Sequence, residues 1–263
     1  MESSVIDLNP AIVLAASLVL VGVAVGVSMW LRLGVERSIV IASIRAAAQL
    51  IAVGVLLTLV IDSGWEQWLA PLWIIVMVAI ATYVVTERAG TTAIAPAAAL
   101  AIGLSTAISL AVVFGIGVLP AEPIQMIVIA GITIGNVMPA TVVGADQVRK
   151  QLTDGRPVIE GLLSLGIDAN RSTRFMVSEA VRVALIPQIE RTKVVGLIAL
   201  PGAFTGLLIA GVAPLDAAVV QLVVMYLVLG SVAVSTSTIA TVTARAAFTP
   251  DQRLKSVEEL GGL

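Results

Sequence analysis

The sequence predicts an all-α polytopic membrane protein of about seven transmembrane helices. Three observations carry that prediction. The first is composition: 59% of the residues are hydrophobic and only 12% are charged, with a mean hydropathy of +1.07, whereas a soluble domain carries charge at about 25% of positions. The second is the recurrence of apolar stretches near the roughly 20 residues needed to cross a bilayer. The third is that the 15 lysines and arginines all fall on one side of the resulting topology. The net charge of −2 is uninformative by itself. The absence of cysteine and histidine removes any disulfide framework, thiolate metal site or imidazole base.

The predicted spans are residues 10–31, 38–61, 69–86, 92–119, 124–145, 194–212 and 215–243. The first ten residues, MESSVIDLNP, lack a basic n-region, so the first span is expected to be retained rather than cleaved. Four connections, the N-terminal tail, 62–68, 120–123 and 213–214, hold no Lys or Arg. The others hold Arg32, Arg37, Arg88, the basic cluster between Arg149 and Lys193, and Arg245, Arg253 and Lys255; Arg45 lies near that same face. Basic loops stay in the cytoplasm, so the N-terminus is expected outside and the C-terminus inside, with an odd number of spans. Residues 1–263 are expected to form a single transmembrane permease domain, with a cytoplasmic region at about 149–193. Three Gly-x-x-x-Gly pairs, Gly22/Gly26, Gly131/Gly135 and Gly202/Gly206, are candidate sites of close helix approach.

Polar residues inside the spans suggest a substrate pathway. Arg45 and Gln49 are four apart and share a helix face. Arg45 either snorkels to the headgroups or faces the bundle interior, as intramembrane charges usually do; Gln49, one turn deeper, favours the second. In the fifth span Gln125 and Asn136 are eleven residues apart, nearly three whole turns, with Thr133 alongside. Pro139 is expected to break the hydrogen-bond ladder there and free carbonyls. Interhelical packing is the competing explanation for these amides. Met138, with Met126 and Met225, offers soft thioether ligands or simple packing; whether a metal binds is open. The hydroxyls of the last span, including Ser231, Ser235 and Thr236, are expected to bond back to their own helix.

The charged stretch from 149 to 193 is expected to be the working loop. After a polar connector at 149–157, Ile159, Leu162, Leu163 and Leu165 mark a short amphipathic helix. Gly166 to Asn170 reads as a turn with a helix start signal. A second helix follows from Arg171 to Ile186, in which Glu179 and Arg182 are spaced to pair, and Pro187 is expected to interrupt it. A short helix, a glycine turn and a second helix between two spans is how permeases of ABC transporters present a coupling element to their ATPase. ABC importers carry Glu-Ala-Ala, three residues and then Gly; Glu160 and Gly166 have that offset, but Gly161 and Leu162 replace the alanines and Pro187 lies too far downstream for the motif's proline. The coupling element is therefore placed on Glu160, Leu163, Leu165, Gly166, Asp168, Arg171 and Arg174. No Gly-x-x-x-x-Gly-Lys-[Ser/Thr] loop occurs, so any ATP used is held elsewhere.

Several segments resemble the FetB-type permeases more closely: IRAAAQLIxVG from Ile44, IAGITIGNVM from Ile129, SLGI from Ser164, VRVALIPQIERTKVVGLIALPG from Val181 and AGVAPLDA from Ala210. That family comprises membrane subunits of small ABC transporters associated with iron export, with plant relatives linked to aluminium tolerance and UDP-glucose transport. The resemblance places Arg45, Gln49, Asn136, Arg182, Pro187, Glu190 and Lys193 at matching positions. It implies a non-enzymatic transport subunit in a bacterial plasma membrane, exporting metal ions such as iron. It also implies that the subunit works as a homodimer with a separate ATP-binding subunit that holds ATP and magnesium, and that no nucleic acid is involved. A nucleotide-sugar permease is the alternative, with an ATP-independent secondary transporter behind it. On this resemblance, motion from the coupling element passes through Arg182, Pro187, Glu190 and Lys193 to the fifth and sixth spans. Two departures are visible: Ile132 stands where the family often has methionine, and Ala203 and Phe204 replace its Met-Met after Pro-Gly.

Overall fold

The computed structural model describes residues 10–256, with side chains from residue 15; the N-terminal tail expected outside the membrane lies beyond the described residues. The described residues are helical, with only two isolated β-bridges, Val195 with Ala199 and Phe248 with Leu254. They divide into two compact units, one ending at Glu66 and the other beginning at Gln67.

The first unit holds α1 (Pro10–Leu31) and α2 (Glu36–Asp62), which pack on one another. The turn between them uses left-handed backbone at Arg32 (φ 52°) and Gly34 (φ 70°), and Ser28 Oγ donates to Glu36 Oε1 across it at 2.8 Å. No residue of α2 is buried. An apolar helix exposed all round belongs in lipid or against a partner.

The second unit is a helical bundle: α3 (Glu66–Ala89), a 3-10 turn (Thr92–Ile94), α4 (Ala95–Gly115), α5 (Pro123–Asp154), α6 (Arg156–Ser164), α7 (Ala169–Val194), α8 (Gly202–Ile209) and α9 (Pro214–Ala246). α5 and α9 form its spine. Ala130, Ile134, Val137 and Ala145 of α5 pack with Val228, Val232 and Ile239 of α9 and with Ala97, Ala98, Ala101 and Ile102 of α4. Small side chains on α4 let the backbones come close, and two hydroxyl pairs fill the seams. Ser109 Oγ meets Ser231 Oγ, and Thr141 Oγ1 meets Ser235 Oγ, both at 2.6 Å and buried. Thus Ser231 and Ser235 join neighbouring helices, while Ser231, Thr236 and Thr238 bond back to Leu227 O, Val232 O and Val234 O as expected. A Thr141→Val, Ser235→Ala double-mutant cycle, read by reversible unfolding in detergent, should give a coupling energy of about 0.6 kcal/mol, the typical worth of an interhelical hydrogen bond in a membrane bundle.

By length and composition, five of the described helices suit a membrane crossing: α2, α3, the 92–115 segment, α5 and α9; the described part of α1 is a shorter apolar helix. The chain is a multi-pass membrane protein. The structure differs from the sequence prediction between 146 and 212. Residues 149–154 continue α5 rather than forming a connector, and α6 starts at once after Gly155. Pro187 does not interrupt the second helix, which runs unbroken through it to Val194. Residues 194–212 are not one span: they form an extended bend followed by the eight-residue α8, only about 12 Å long. The long element in this region is the more polar α7, 26 residues and thus roughly 39 Å. It runs back antiparallel along α5 and α9: Met176 packs with Val148 and Leu152 at one end, and Leu185 packs on the central cluster with Val137 and Val228. Hydropathy misses α7 because its Glu and Arg residues occupy the face turned away from this packing.

Candidate functional site

Two places concentrate the predicted residues. The first is the α6–α7 elbow. Asp168 ends the turn with an extended backbone, and its Oδ1 accepts from Arg171 N at 2.9 Å, capping α7. Gly166 supplies the left-handed residue (φ 81°) that closes α6, a conformation costly for any residue with a Cβ. Glu160 pairs with Arg156 at 2.8 Å, and Arg171 with Asp168 at 3.4 Å. Ile159 is the anchor: it is wholly buried with Val148, Leu152, Met176 and Ala244. Leu163 packs at the edge of that cluster, whereas Leu165 lies 77% exposed at the turn. Val158 and Phe175, 58% and 76% exposed, add apolar surface on the flanking helices, and Arg174 is also exposed.

A C-terminal clasp, which the sequence did not reveal, holds the elbow. Residues 248–255 fold back so that Leu254 is buried in the same cluster. Arg156 Nη1 donates to Lys255 O at 2.8 Å, and Ala169 N donates to Gln252 Oε1 at 3.2 Å, satisfying a free amide at the start of α7. Between clasp and elbow lies a groove of about 560 Å³ lined by Glu160, Leu163, Gly166, Ile167 and Arg253, among others. Arg149, paired with Asp146, also donates to Ala89 O at 3.3 Å and ties α5 to the end of α3.

The second place is a cavity of about 210 Å³ between α5, α7, α8 and α9. Of the predicted pathway residues only Asn136 lines it, joined by Gln188, Arg191, Thr192, Gln221 and Met225. The Asn136 amide nitrogen donates to Ile132 O on its own helix at 2.8 Å. Gln221 is buried, and its Oε1 has no hydrogen-bond partner; such an unmet group costs about 1–3 kcal/mol.

The other pathway residues lie apart. Thr133 is fully buried in helix packing with its hydroxyl unpartnered, so the expected line of polar groups along α5 is not a continuous lining. Gln125 donates to Glu122 Oε2 at 3.2 Å near the start of α5, and Met138 packs against the central cluster. Arg45 and Gln49 are exposed on α2 in the other unit. Of the transmission residues, Arg182 pairs with Glu179 at 3.2 Å as its spacing predicted, and Glu190 with Lys193 at 2.7 Å; Pro187 is exposed within α7. One signal for the missed residues was present: Gln221 is the one amide in the apolar stretch 215–243.

Residues 11–248 match the profile of UPF0014, described as an uncharacterised protein family. The chain belongs to that family. Among its relatives, the UPF0014 membrane protein STAR2 of Oryza sativa subsp. japonica is 35% identical over 84% of this chain and 77% of its own length. Protein ALUMINUM SENSITIVE 3 of Arabidopsis thaliana is 33% identical, over 85% and 82% respectively. The probable iron export permease protein FetB of Escherichia coli (strain K12) is 31% identical, over 85% and 86%. No solved structure matches. The resemblance to FetB-type permeases thus extends over 85% of the chain. The UPF0014 match ends at residue 248, so most of the C-terminal clasp lies beyond it.

Proposed function

We propose that this chain is the membrane-spanning permease of a transporter driven by a separate ATP-binding subunit, working as a homodimer in a bacterial plasma membrane and exporting metal ions such as iron. The observation that carries the ATP-driven reading is the elbow. Leu165 and Phe175 stand far out of the fold at the end rich in basic residues, which the positive-inside rule assigns to the cytoplasm. Apolar side chains held rigidly at a water-facing turn suit a protein partner, and the chain has no phosphate loop of its own. Behind the elbow, α7 is one continuous rod leading to the cavity, so a push at Asp168 is delivered near Arg191. On this reading α7, the bend and α8 together make the sixth crossing in place of the 194–212 segment alone, seven crossings are kept, and the C-terminus is cytoplasmic.

The metal cargo is supported by the name of the FetB relative. A nucleotide sugar is the second reading, favoured because Arg191 is the charged residue lining the cavity. Co-expression with a candidate ATP-binding subunit tests the central claim. The two chains should co-purify and give ATP-dependent transport in inside-out vesicles. Transport that persists without any ATPase would overturn it in favour of a secondary transporter.

A further inference from the structure

The lining of the α5–α7–α9 cavity holds one ionised side chain, Arg191, and no carboxylate. Arg191 has no ion-pair partner among the described residues, because its neighbour Glu190 is engaged with Lys193 at 2.7 Å. Arg191 is itself exposed and shares the lining with the apolar side chains of Ile132, Val195, Val224 and Val228. A guanidinium there offers a planar fork of donors matched to phosphate or carboxylate oxygens. Beside it Gln221, more than nine-tenths buried, presents an acceptor oxygen without a donor. The Thr192 hydroxyl and the Asn136 amide nitrogen are already spent on Gln188 O and Ile132 O. The capacity left in the cavity is the Arg191 cation, the Gln221 acceptor oxygen, the Gln188 side-chain amide and the Asn136 amide oxygen. Its donor set suits a bare metal ion poorly: the chain has no histidine or cysteine, and no group of three or more acidic ligands converges among the described residues.

We infer that this cavity binds a small hydroxylated anion, with its phosphate or carboxylate group on Arg191 and a hydroxyl donated to Gln221 Oε1. The space, about 210 Å³, equals roughly seven waters, enough for the head of such a molecule. The inference rests on the transport reading and, for this cavity, sides with its second cargo, a phosphorylated solute, against a metal ion. A soluble ester and a phospholipid headgroup share this chemistry.

The test uses the full chain in phosphatidylcholine nanodiscs without any ATPase, so its outcome is independent of whether an ATP-binding partner exists. Binding is followed by thermal shift and calorimetry with glycerol 3-phosphate, inorganic phosphate, glycerol and ferrous ion. Glycerol 3-phosphate should bind saturably, and Arg191→Ala should weaken it at least about tenfold, the scale of a charge-assisted contact. Arg191→Lys, which keeps the charge and guards against misfolding, should retain part of the affinity. Gln221→Leu should weaken glycerol 3-phosphate but leave inorganic phosphate unchanged, since only the ester carries an alcohol hydroxyl that extends beyond the phosphate group held on Arg191. If phosphatidylglycerol added to the discs stabilises the chain through Arg191 while the soluble ester does not, the anion is a lipid headgroup and the site stands. Phosphate binding undiminished in Arg191→Ala, no phosphate binding from either source, or tight binding of ferrous ion alone at this cavity would each overturn the inference.

Discussion

Leu165→Glu should abolish ATP-dependent transport while leaving membrane insertion and thermal stability unchanged. The side chain is 77% exposed at the turn between α6 and α7, so the fold loses almost no packing when it is replaced. An apolar anchor at the centre of a protein interface commonly contributes about 2 kcal/mol or more, which is roughly thirtyfold in affinity. A buried, unpaired carboxylate in its place costs further. Co-purification with the ATP-binding subunit should therefore fail or weaken by at least that factor. A proline inserted between Leu163 and Asp168 should have the same effect on transport by a different route: it displaces the Asp168 cap from Arg171 N and tilts the start of α7. Normal transport-coupled ATPase activity in either variant would show that the elbow is not where force enters.

Much of this architecture can be read from the sequence because hydropathy reports lipid-facing surface, and most of these helices have one. The first, fifth and last predicted spans lie within or coincide with α1, α5 and α9. The method fails where a helix packs inside the bundle with a charged outer face. α7 carries Glu179, Arg182, Glu190, Arg191 and Lys193, so it scores as a loop, while the apolar 194–212 segment scores as a span although a bend and an eight-residue helix occupy it. Pro187 was expected to interrupt its helix and does not; Pro139, expected only to break the hydrogen-bond ladder, sits inside α5, where it has no N–H to give to Gly135 O. The elbow was legible because its signals are local: a glycine at positive φ and an Asp cap three residues before the amide it accepts from. The cavity was not, because it assembles Asn136, Arg191 and Gln221 from three helices, a juxtaposition with no trace in local spacing. Glycine spacing misled in the same way. Gly22, Gly26, Gly135, Gly202 and Gly206 meet no neighbour within 4 Å in this chain, and Gly131 touches only the end of Met77.

A glycine that does bring α5 and α9 together is Gly144, which belongs to no such pair, and Gly144→Leu should be strongly destabilising. A Cβ at this position would lie 3.0 Å from Ile239 Cγ2 and 3.8 Å from the Thr236 backbone. Ile239 is itself fully buried and has nowhere to retreat. α5 and α9 would have to separate, straining the Thr141–Ser235 hydrogen bond one turn away. Overpacking of this kind costs about 1–3 kcal/mol, occasionally more, and leucine adds volume against backbone as well as side chain. Gly144→Ala should fall at the low end, because Ile239 Cγ2 need yield only a little. Adding Ile239→Ala supplies the missing space, so the Gly144→Ala, Ile239→Ala pair should be less destabilised than the sum of its single variants, by about 0.5–3 kcal/mol as expected for touching residues. Gly135→Leu, on the same helix but with open space around it, is the control and should leave the stability of the isolated chain unchanged. Reversible unfolding in mixed detergent micelles measures all five variants, and strict additivity of the pair would mean that α5 and α9 do not meet at Gly144.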